Sequence, residues 1–124
     1  MEVRQFSYET GWDFDNLSHQ DQFMALLDEE QPDEVLITPE CKLWSRMQSL
    51  GRRTWHQQEA LIAARARHHD RHLLFAKKVY VAQVNGGKHA TLEQPKHALS
   101  WRTRALRDLP GCRVDFFQRR YGAQ

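Results

Sequence analysis

The sequence predicts an α/β fold with a mostly parallel sheet. Short apolar runs bounded by turn residues alternate along the chain with longer stretches in which apolar residues recur at helical spacing. With 124 residues, of which 40% are hydrophobic and 27% charged, the chain has the composition of a globular domain. This length is small for a complete cofactor-dependent enzyme, so we expect residues 1–124 to form a single, partial domain.

The first two elements are a predicted strand and a predicted helix. Apolar and polar side chains alternate over Val3–Glu9, which favours a strand that Gly11 ends. Either Asn16 or Ser18 is suited to cap the following helix, and Ser18 forms a capping-box pattern with Asp21. The helix then runs to Pro32, and the next strand makes the order strand, helix, strand.

A second strand, Val35–Ile37, places a cysteine at the carboxyl end of the sheet. The run is short and partly β-branched, and Cys41 follows it after the turn residue Pro39. In open α/β sheets ligands bind at this edge, so a thiol there is well placed for chemistry. The alternative is that Cys41 is a small apolar residue in a turn.

A long helix is predicted from Thr54 to Val84. Seven residues at steps of three or four form one stripe toward the sheet: Ile62, Ala66, His69, Leu73, Ala76, Tyr80 and Val84. A straight helix of this length would span about 45 Å, so we expect a break or bend inside it.

His68 and His72 share a face of this helix, as metal-binding histidines often do. No third ligand accompanies them, so we predict no metal site.

The last third of the chain predicts a strand at His89–Pro95, a helix between Lys96 and Leu109, and a strand at Cys112–Gln118.

Three predicted strands end in chemically useful groups. The strand at Val35–Ile37 is followed by a thiol, the strand at His89–Pro95 ends with a carboxylate, and the last strand is followed by a cationic turn. Because the carboxyl ends of parallel strands meet at one edge of a sheet, we expect Cys41, Glu93 and the residues after Gln118 to converge. A nucleophile beside a carboxylate suits covalent catalysis.

Charge is unevenly distributed although the formal net charge is only +2. Arginines and lysines cluster in the middle and at the end of the sequence, whereas the first 40 residues carry many of the acids. This pattern fits either a surface for nucleic acid or a solvated helix face.

The sequence predicts a soluble, intracellular protein that does not enter a membrane. It has two cysteines, no signal peptide and no apolar run long enough to span a bilayer.

Four segments resemble the DNA cytosine-5 methyltransferases, in the form found in mobile-element proteins. Thr38-Pro39-Glu40-Cys41 with Trp44-Ser45 resembles their Pro-Cys loop, and Thr10-Gly11-Trp12-Asp13 resembles a segment before their first helix. Leu92-Glu93-Gln94-Pro95 with Ser100-Trp101 is similar to a Leu-Glu-x-Pro and Ser-Trp pattern. Phe117-Gln118 with Tyr121-Gly122 is similar to a further segment. The resemblance implies a three-layer Rossmann-like domain.

The resemblance also implies roles for individual residues. Cys41 would attack C6 of a flipped cytosine in DNA, and Glu93 would contact N3 of the base. Glu9, Trp12, Asp13 and Pro39 would bind S-adenosylmethionine, with a solvated carboxylate as the alternative for Glu9 and packing as the alternative for Trp12. Arginines after Gly51 and near the end would contact DNA phosphates: Arg52, Arg53, Arg119 and Arg120.

The sequence departs from this family in two places. Glu40 replaces the proline that precedes the cysteine, and the glycine-rich turn that cradles the cofactor has no counterpart. We therefore expect a partial methyltransferase-like domain, whether active or inactive. The competing interpretation is a non-catalytic remnant that binds nucleic acid or self-associates through an unpaired sheet edge. RNA is a third, weaker candidate for the target.

Overall fold

The computed structural model describes residues 4–45 and 54–113, which form a mixed helix and strand fold. The helices are α1 (Leu17–Glu30), α2 (Trp55–His68) and α3 (Leu74–Asn85), and a π-helical turn (His69–Leu73) joins α2 to α3. The strands are β1 (Glu34–Ile37) and β2 (His89–Leu92). Short 3₁₀ turns lie at Tyr8–Thr10, Lys42–Trp44 and Leu99–Arg102.

The two strands pair in parallel, and the helices between them form the crossover connection. Val35 pairs with Ala90 and Ile37 with Leu92, so these half-buried side chains share one face of the sheet. α3 packs against both strands. The opposite face is open in the described part of the chain, where the side chain of Leu36 is 67% exposed. Of the predicted α/β fold with a mostly parallel sheet, the mixed helix and strand content and the parallel pairing of two strands are confirmed.

α1 begins and ends at clear local signals. The side chain of Asn16 accepts the backbone N–H of Ser18 at 2.9 Å, so Asn16 is the N-cap and the proposed Ser18 capping box is wrong. At the other end Gln31 adopts a left-handed conformation with φ of 48°, directly before Pro32. Both boundaries lie where the sequence predicts them.

The expected break in the long helix is the π-helical turn. Leu74 donates its N–H to the carbonyl of His69, five residues back. The side-chain amide of Gln20 donates to the carbonyl of Arg71 at 2.6 Å, which joins α1 to this turn. A backbone acceptor in the π-helical turn therefore holds a neighbouring helix in place.

The predicted inward stripe of the long helix is wrong in its first half. Ile62 is 59% exposed, whereas Leu61 and His68 are buried. α2 packs on the turn that contains Leu43 and Trp44, and Arg65 donates to the carbonyl of Leu43 at 2.7 Å. The buried face of α2 is therefore set by a loop that the periodicity of the helix does not reveal.

The predicted strand at Val3–Glu9 is also wrong over residues 4–9, which pair with no strand of the described structure and enter a 3₁₀ turn at Tyr8. Phe6 packs edge-on against Trp12 and Phe23, and Phe14 contacts Phe75 of α3. The alternating apolar residues thus build an aromatic cluster between α1 and α3.

The predicted helix between Lys96 and Leu109 is replaced by a 3₁₀ turn followed by irregular turns. The hydroxyl of Thr103 donates to the carbonyl of Ser100 at 2.7 Å, a local bond that competes with regular helix formation. The strand predicted at Cys112–Gln118 is not seen at residues 112 and 113, and the rest of it lies outside the described residues.

The hydrophobic core lies beneath the carboxyl ends of the strands. Its buried residues come from the turn after β1, the π-helical turn and the segment after β2: Trp44, Leu73, Ala98, Ala105 and Leu106. Leu92, the last residue of β2, packs against this cluster. No helix in the described ranges has the length and apolar character needed to cross a bilayer.

Candidate functional site

The structure brings the loops after β1 and β2 to the same edge of the sheet. Ile37 and Leu92 form the last residue pair, and Glu93 donates its backbone N–H to the carbonyl of Ile37 at 2.8 Å. The loop that carries Cys41 and the turn that carries Glu93 therefore leave the sheet side by side. We call these two segments, residues 38–41 and 93–95, the strand-end loops.

Gln94 ties the strand-end loops together. Its amide nitrogen donates to the carbonyl of Pro39 at 2.6 Å, and its amide oxygen accepts the hydroxyl of Ser100 at 2.7 Å. Gln94 and Ser100 are both buried, with Ser100 fully inaccessible. The resemblance assigns Pro39 to the cofactor and gives Gln94 no role, because nothing in a single sequence marks a glutamine as buried.

We expect Gln94→Met to lower the free energy of unfolding by about 2 kcal/mol, because the Pro39 carbonyl and the Ser100 hydroxyl lose their buried partner. Urea denaturation measures this change. The double variant Gln94→Met/Ser100→Ala should cost less than the sum of the single variants, since it leaves fewer unpaired groups. Gln58→Met, at an exposed position of α2, is the control, and equal losses at both glutamines would contradict this role.

Cys41 is half-buried and lies at the start of the 3₁₀ turn. Its carbonyl accepts the backbone N–H of Trp44 at 2.9 Å, and the Trp44 side chain is buried in the core. The other free cysteine, Cys112, is exposed. The backbone next to the Cys41 thiol is therefore fixed by core packing.

His68 holds Trp44 in place from the end of α2. The Trp44 indole nitrogen donates to Nδ1 of His68 at 2.9 Å, so the histidine carries its proton on Nε2. That Nε2 atom is buried without a hydrogen-bond partner in the described structure. Burial lowers the pKa of His68 and the nearby His72 lowers it further, whereas Glu40 opposes them. His68 is therefore neutral at pH 7.

The neighbouring histidines also have structural partners. Ala105 donates its N–H to Nε2 of His69 at 3.2 Å, which leaves the Nδ1 proton of His69 facing Asp70. The His72 ring stacks on His68, with 4.9 Å between the centroids. Over residues 4–45 and 54–113 the structure assembles no group of three His, Cys, Asp or Glu side chains able to hold a metal.

The residues assigned to the cofactor from the sequence lie in other surroundings. Trp12 packs against Phe6, Phe14 and Phe23. The Asp13 carboxylate accepts the N–H of Asp15 at 3.0 Å, which makes a local turn. These two side chains therefore build the segment before α1.

Glu9 is exposed in a 3₁₀ turn and does not follow a strand. The pKa of its carboxyl is lowered, first by its own backbone N–H and second by the side chain of Ser7. The sequence-based placement of Glu9 at a strand end is wrong, because residues 4–9 join the aromatic cluster.

Binding of S-adenosylmethionine by the described residues stays a prediction. Two pockets, of about 190 and 210 Å³, lie on the surface, and neither is lined by Glu9, Trp12, Asp13 or Cys41. Both are smaller than the roughly 300 Å³ at which sites for drug-sized ligands and cofactors begin. Neither pocket is therefore assigned to this cofactor.

Four arginines predicted to contact DNA lie outside the described residues: Arg52, Arg53, Arg119 and Arg120.

Comparison of the chain with models of protein families, with curated proteins and with solved structures finds no match. Function must consequently be inferred from the strand-end loops and their chemistry.

Proposed function

We propose that this chain is the base-binding part of a Rossmann-like, methyltransferase-like domain, and that it binds cytosine in DNA at the strand-end loops. The observation that supports this most directly is the pair of Gln94 hydrogen bonds, which hold the Cys41 loop beside the Glu93 turn. A thiol and a carboxylate on adjoining loops match the nucleophile and the base-contacting acid that the sequence resemblance implies.

The chemistry that follows is addition of Cys41 to the base. The thiolate forms a bond to C6 of cytosine, the C5–C6 double bond breaks, and the electron pair moves to C5. Glu93, in its protonated form, donates to N3 and favours the attack. Without a methyl donor, C5 takes a proton from water and the adduct reverts when that proton and the thiol leave. The proposed activity is therefore reversible covalent capture of the base.

Access to C6 requires the base to be out of its stack. Stacking and pairing must be broken before a side chain reaches this atom, at a cost of a few kcal/mol in a duplex. Single-stranded DNA avoids most of that cost. We therefore expect single strands to be the better substrate for the isolated chain.

We expect a covalent adduct with a single-stranded oligonucleotide in which one cytosine is replaced by pyrimidin-2-one. This base lacks the electron-donating 4-amino group, so its C6 is more electrophilic, and trapping needs no methyl donor. Intact-protein mass spectrometry detects the added mass. Cys41→Ser should abolish the adduct, whereas Cys112→Ser, which removes the exposed cysteine, should retain it.

Glu93→Gln should slow adduct formation at least about tenfold, because proton donation to N3 is lost. An adduct that survives in Cys41→Ser but disappears in Cys112→Ser would overturn the proposal. An RNA oligonucleotide carrying the same base shows whether the sugar matters.

A non-catalytic, self-associating protein is the second candidate, and the open sheet face supports it. Leu36 is 67% exposed, and β1 and β2 are each paired on one side only within the described structure. Absence of any adduct together with sedimentation as a dimer would favour this candidate over base capture.

A further inference from the structure

Trp44 and His68 form a buried pair that joins the loop after β1 to the end of α2. The Trp44 indole donates to Nδ1 of His68 at 2.9 Å, and the two residues are only 7% and 8% exposed. Trp44 also donates its backbone N–H to the carbonyl of Cys41 at 2.9 Å. A hydrogen bond to a titratable ring therefore anchors the turn that begins at Cys41.

This hydrogen bond requires His68 to be neutral. A proton on Nδ1 would occupy the lone pair that accepts the Trp44 indole N–H, since both nitrogens of a charged imidazole are donors. Two N–H groups would then face each other, and Nε2 is already buried without a partner in the described structure. Protonation therefore breaks the bond to Trp44 and places a charge in a buried site.

The surroundings of the His68 ring oppose its protonation. Burial and the ring of His72, which stacks on His68 with 4.9 Å between the centroids, lower the pKa of His68. His69 lowers it further, and the carboxylate of Glu40 in the strand-end loops opposes this shift without reversing it. If His68 and His72 were both protonated, two positive charges would lie face to face.

Two further charged groups lie one contact away from this ring. The Asp15 carboxylate lies 3.6 Å from Nε2 of His72 and also pairs with Arg67, so its charge is shared between the two. The Arg65 guanidinium lies 5.6 Å from the centre of the Trp44 ring and adds positive charge beside the buried pair. The pair is therefore built around a neutral histidine.

We propose that His68 is an acid switch, and that its protonation breaks the hydrogen bond to Trp44 and releases the turn that begins at Cys41. The neutral ring holds the turn closed, and the protonated ring is hydrated when the turn opens. The effect on base capture rests on the proposed function, because Cys41 would leave the side of Glu93. The release of the turn does not depend on what the site binds.

Linkage sets the direction of the switch. The pKa of His68 is lowered in the closed structure, so the open turn binds a proton more readily than the closed turn. The closed turn is therefore favoured above about pH 6.5, where an unperturbed histidine titrates, and opening increases as the pH falls below this value. One proton taken up on opening shifts the equilibrium by up to about tenfold for each pH unit.

The test follows the accessibility of the Cys41 thiol from about pH 7.5 to about pH 5.5, the range in which histidine changes charge. A Cys112→Ser background leaves Cys41 as the single cysteine. The probe is a dipyridyl disulfide, which reacts with thiols in acid as well as at neutral pH and releases an absorbing thione. His68→Asn keeps an acceptor near the position of Nδ1 but takes up no proton in this range. Its control is His56→Asn, at an exposed position of the same helix.

Dividing each labelling rate by the rate of His68→Asn at the same pH removes the intrinsic effect of pH on the thiol. We expect this ratio to rise at least about threefold in the parent chain as the pH falls, because only the parent gains a proton on opening. His56→Asn should behave as the parent does. A ratio that is independent of pH, or equal effects of the two substitutions, would overturn the inference.

An NMR titration of the parent chain tests the same step without a substitution at His68. The pKa of the His68 ring should lie below the ordinary value of about 6.5, and the signal of the Trp44 indole N–H should move with the same midpoint. In Trp44→Phe the pKa of His68 should rise, because Nδ1 is then free to take the proton. A pKa at or above the ordinary value in the parent chain contradicts the switch.

The pyrimidin-2-one adduct separates this inference from the proposed function. If the labelling ratio rises in acid but no adduct forms at any pH, base capture fails and the switch stands. If the adduct forms and the labelling ratio stays constant, the reverse holds.

Discussion

Leu73→Ala should lower the free energy of unfolding by about 3 to 5 kcal/mol. Leu73 is fully buried and is the last residue of the π-helical turn. It belongs to the same core cluster as Trp44 and Leu106. Truncation there removes buried methyl groups and leaves a cavity, and the rigid ends of two helices limit how far the surroundings can relax. Native proteins have only about 5 to 15 kcal/mol of stability in total, so a large part of it would be lost.

Urea denaturation followed by circular dichroism measures this loss. Leu17→Ala is the matched control, because Leu17 is 55% exposed at the start of α1 and should change stability by about 0.5 kcal/mol or less. Similar losses at the two leucines would show that the core beneath the strand-end loops is not where the structure places it.

Trp44→Ala should be comparably severe, with a loss of about 3 to 5 kcal/mol. It removes a large buried side chain that is 7% exposed, and it leaves Nδ1 of His68 without the indole donor. Both nitrogens of His68 would then be buried and unpaired, which adds a desolvation cost to the cavity.

Trp55→Ala provides the comparison, since Trp55 is 70% exposed at the start of α2 and should cost less than about 1 kcal/mol. Trp44→Phe separates the two contributions, because it keeps an aromatic ring and removes only the N–H and part of the volume. Its loss should lie between those of the wild type and Trp44→Ala. A Trp44→Phe variant as stable as the wild type would mean that the bond to His68 adds nothing measurable.

The parts of the fold that local signals determine could be predicted from the sequence. Asn16 and Pro32 bound α1, and apolar runs between turn residues mark β1 and β2. The break in the long helix could be expected from its length alone. That the two strand-end loops lie side by side follows from the parallel pairing of β1 and β2, because the register fixes which residues leave the sheet together.

Features that depend on distant parts of the chain could not be predicted. The alternation in residues 4–9 looks like a strand, but the rings of Phe6 and Trp12 gain more by packing on α1. Gln94 has no distinctive spacing, and the spacing of His68 to His72 does not reveal that His68 is buried. The burial of both residues depends on loops that arrive from elsewhere in the chain. Arg113 likewise donates to the carbonyl of Lys96, 17 positions earlier in the chain.

The π-helical turn also determines how tolerant this chain is to changes in length. Each residue of an α-helix advances the side chains by about 100° around the axis. Deleting one residue between His69 and Leu73 would let regular α-helical bonding continue and would leave Phe75 and Val79 close to their present orientation, because a turn closed by a bond five residues back contains one residue more than an α-helical turn. The aromatic cluster and the Trp44–His68 hydrogen bond lie on opposite sides of the turn, so both tolerate the loss of this one residue. Lineages carrying this domain should therefore gain or lose residues in loops and, within the long helix, only at this turn.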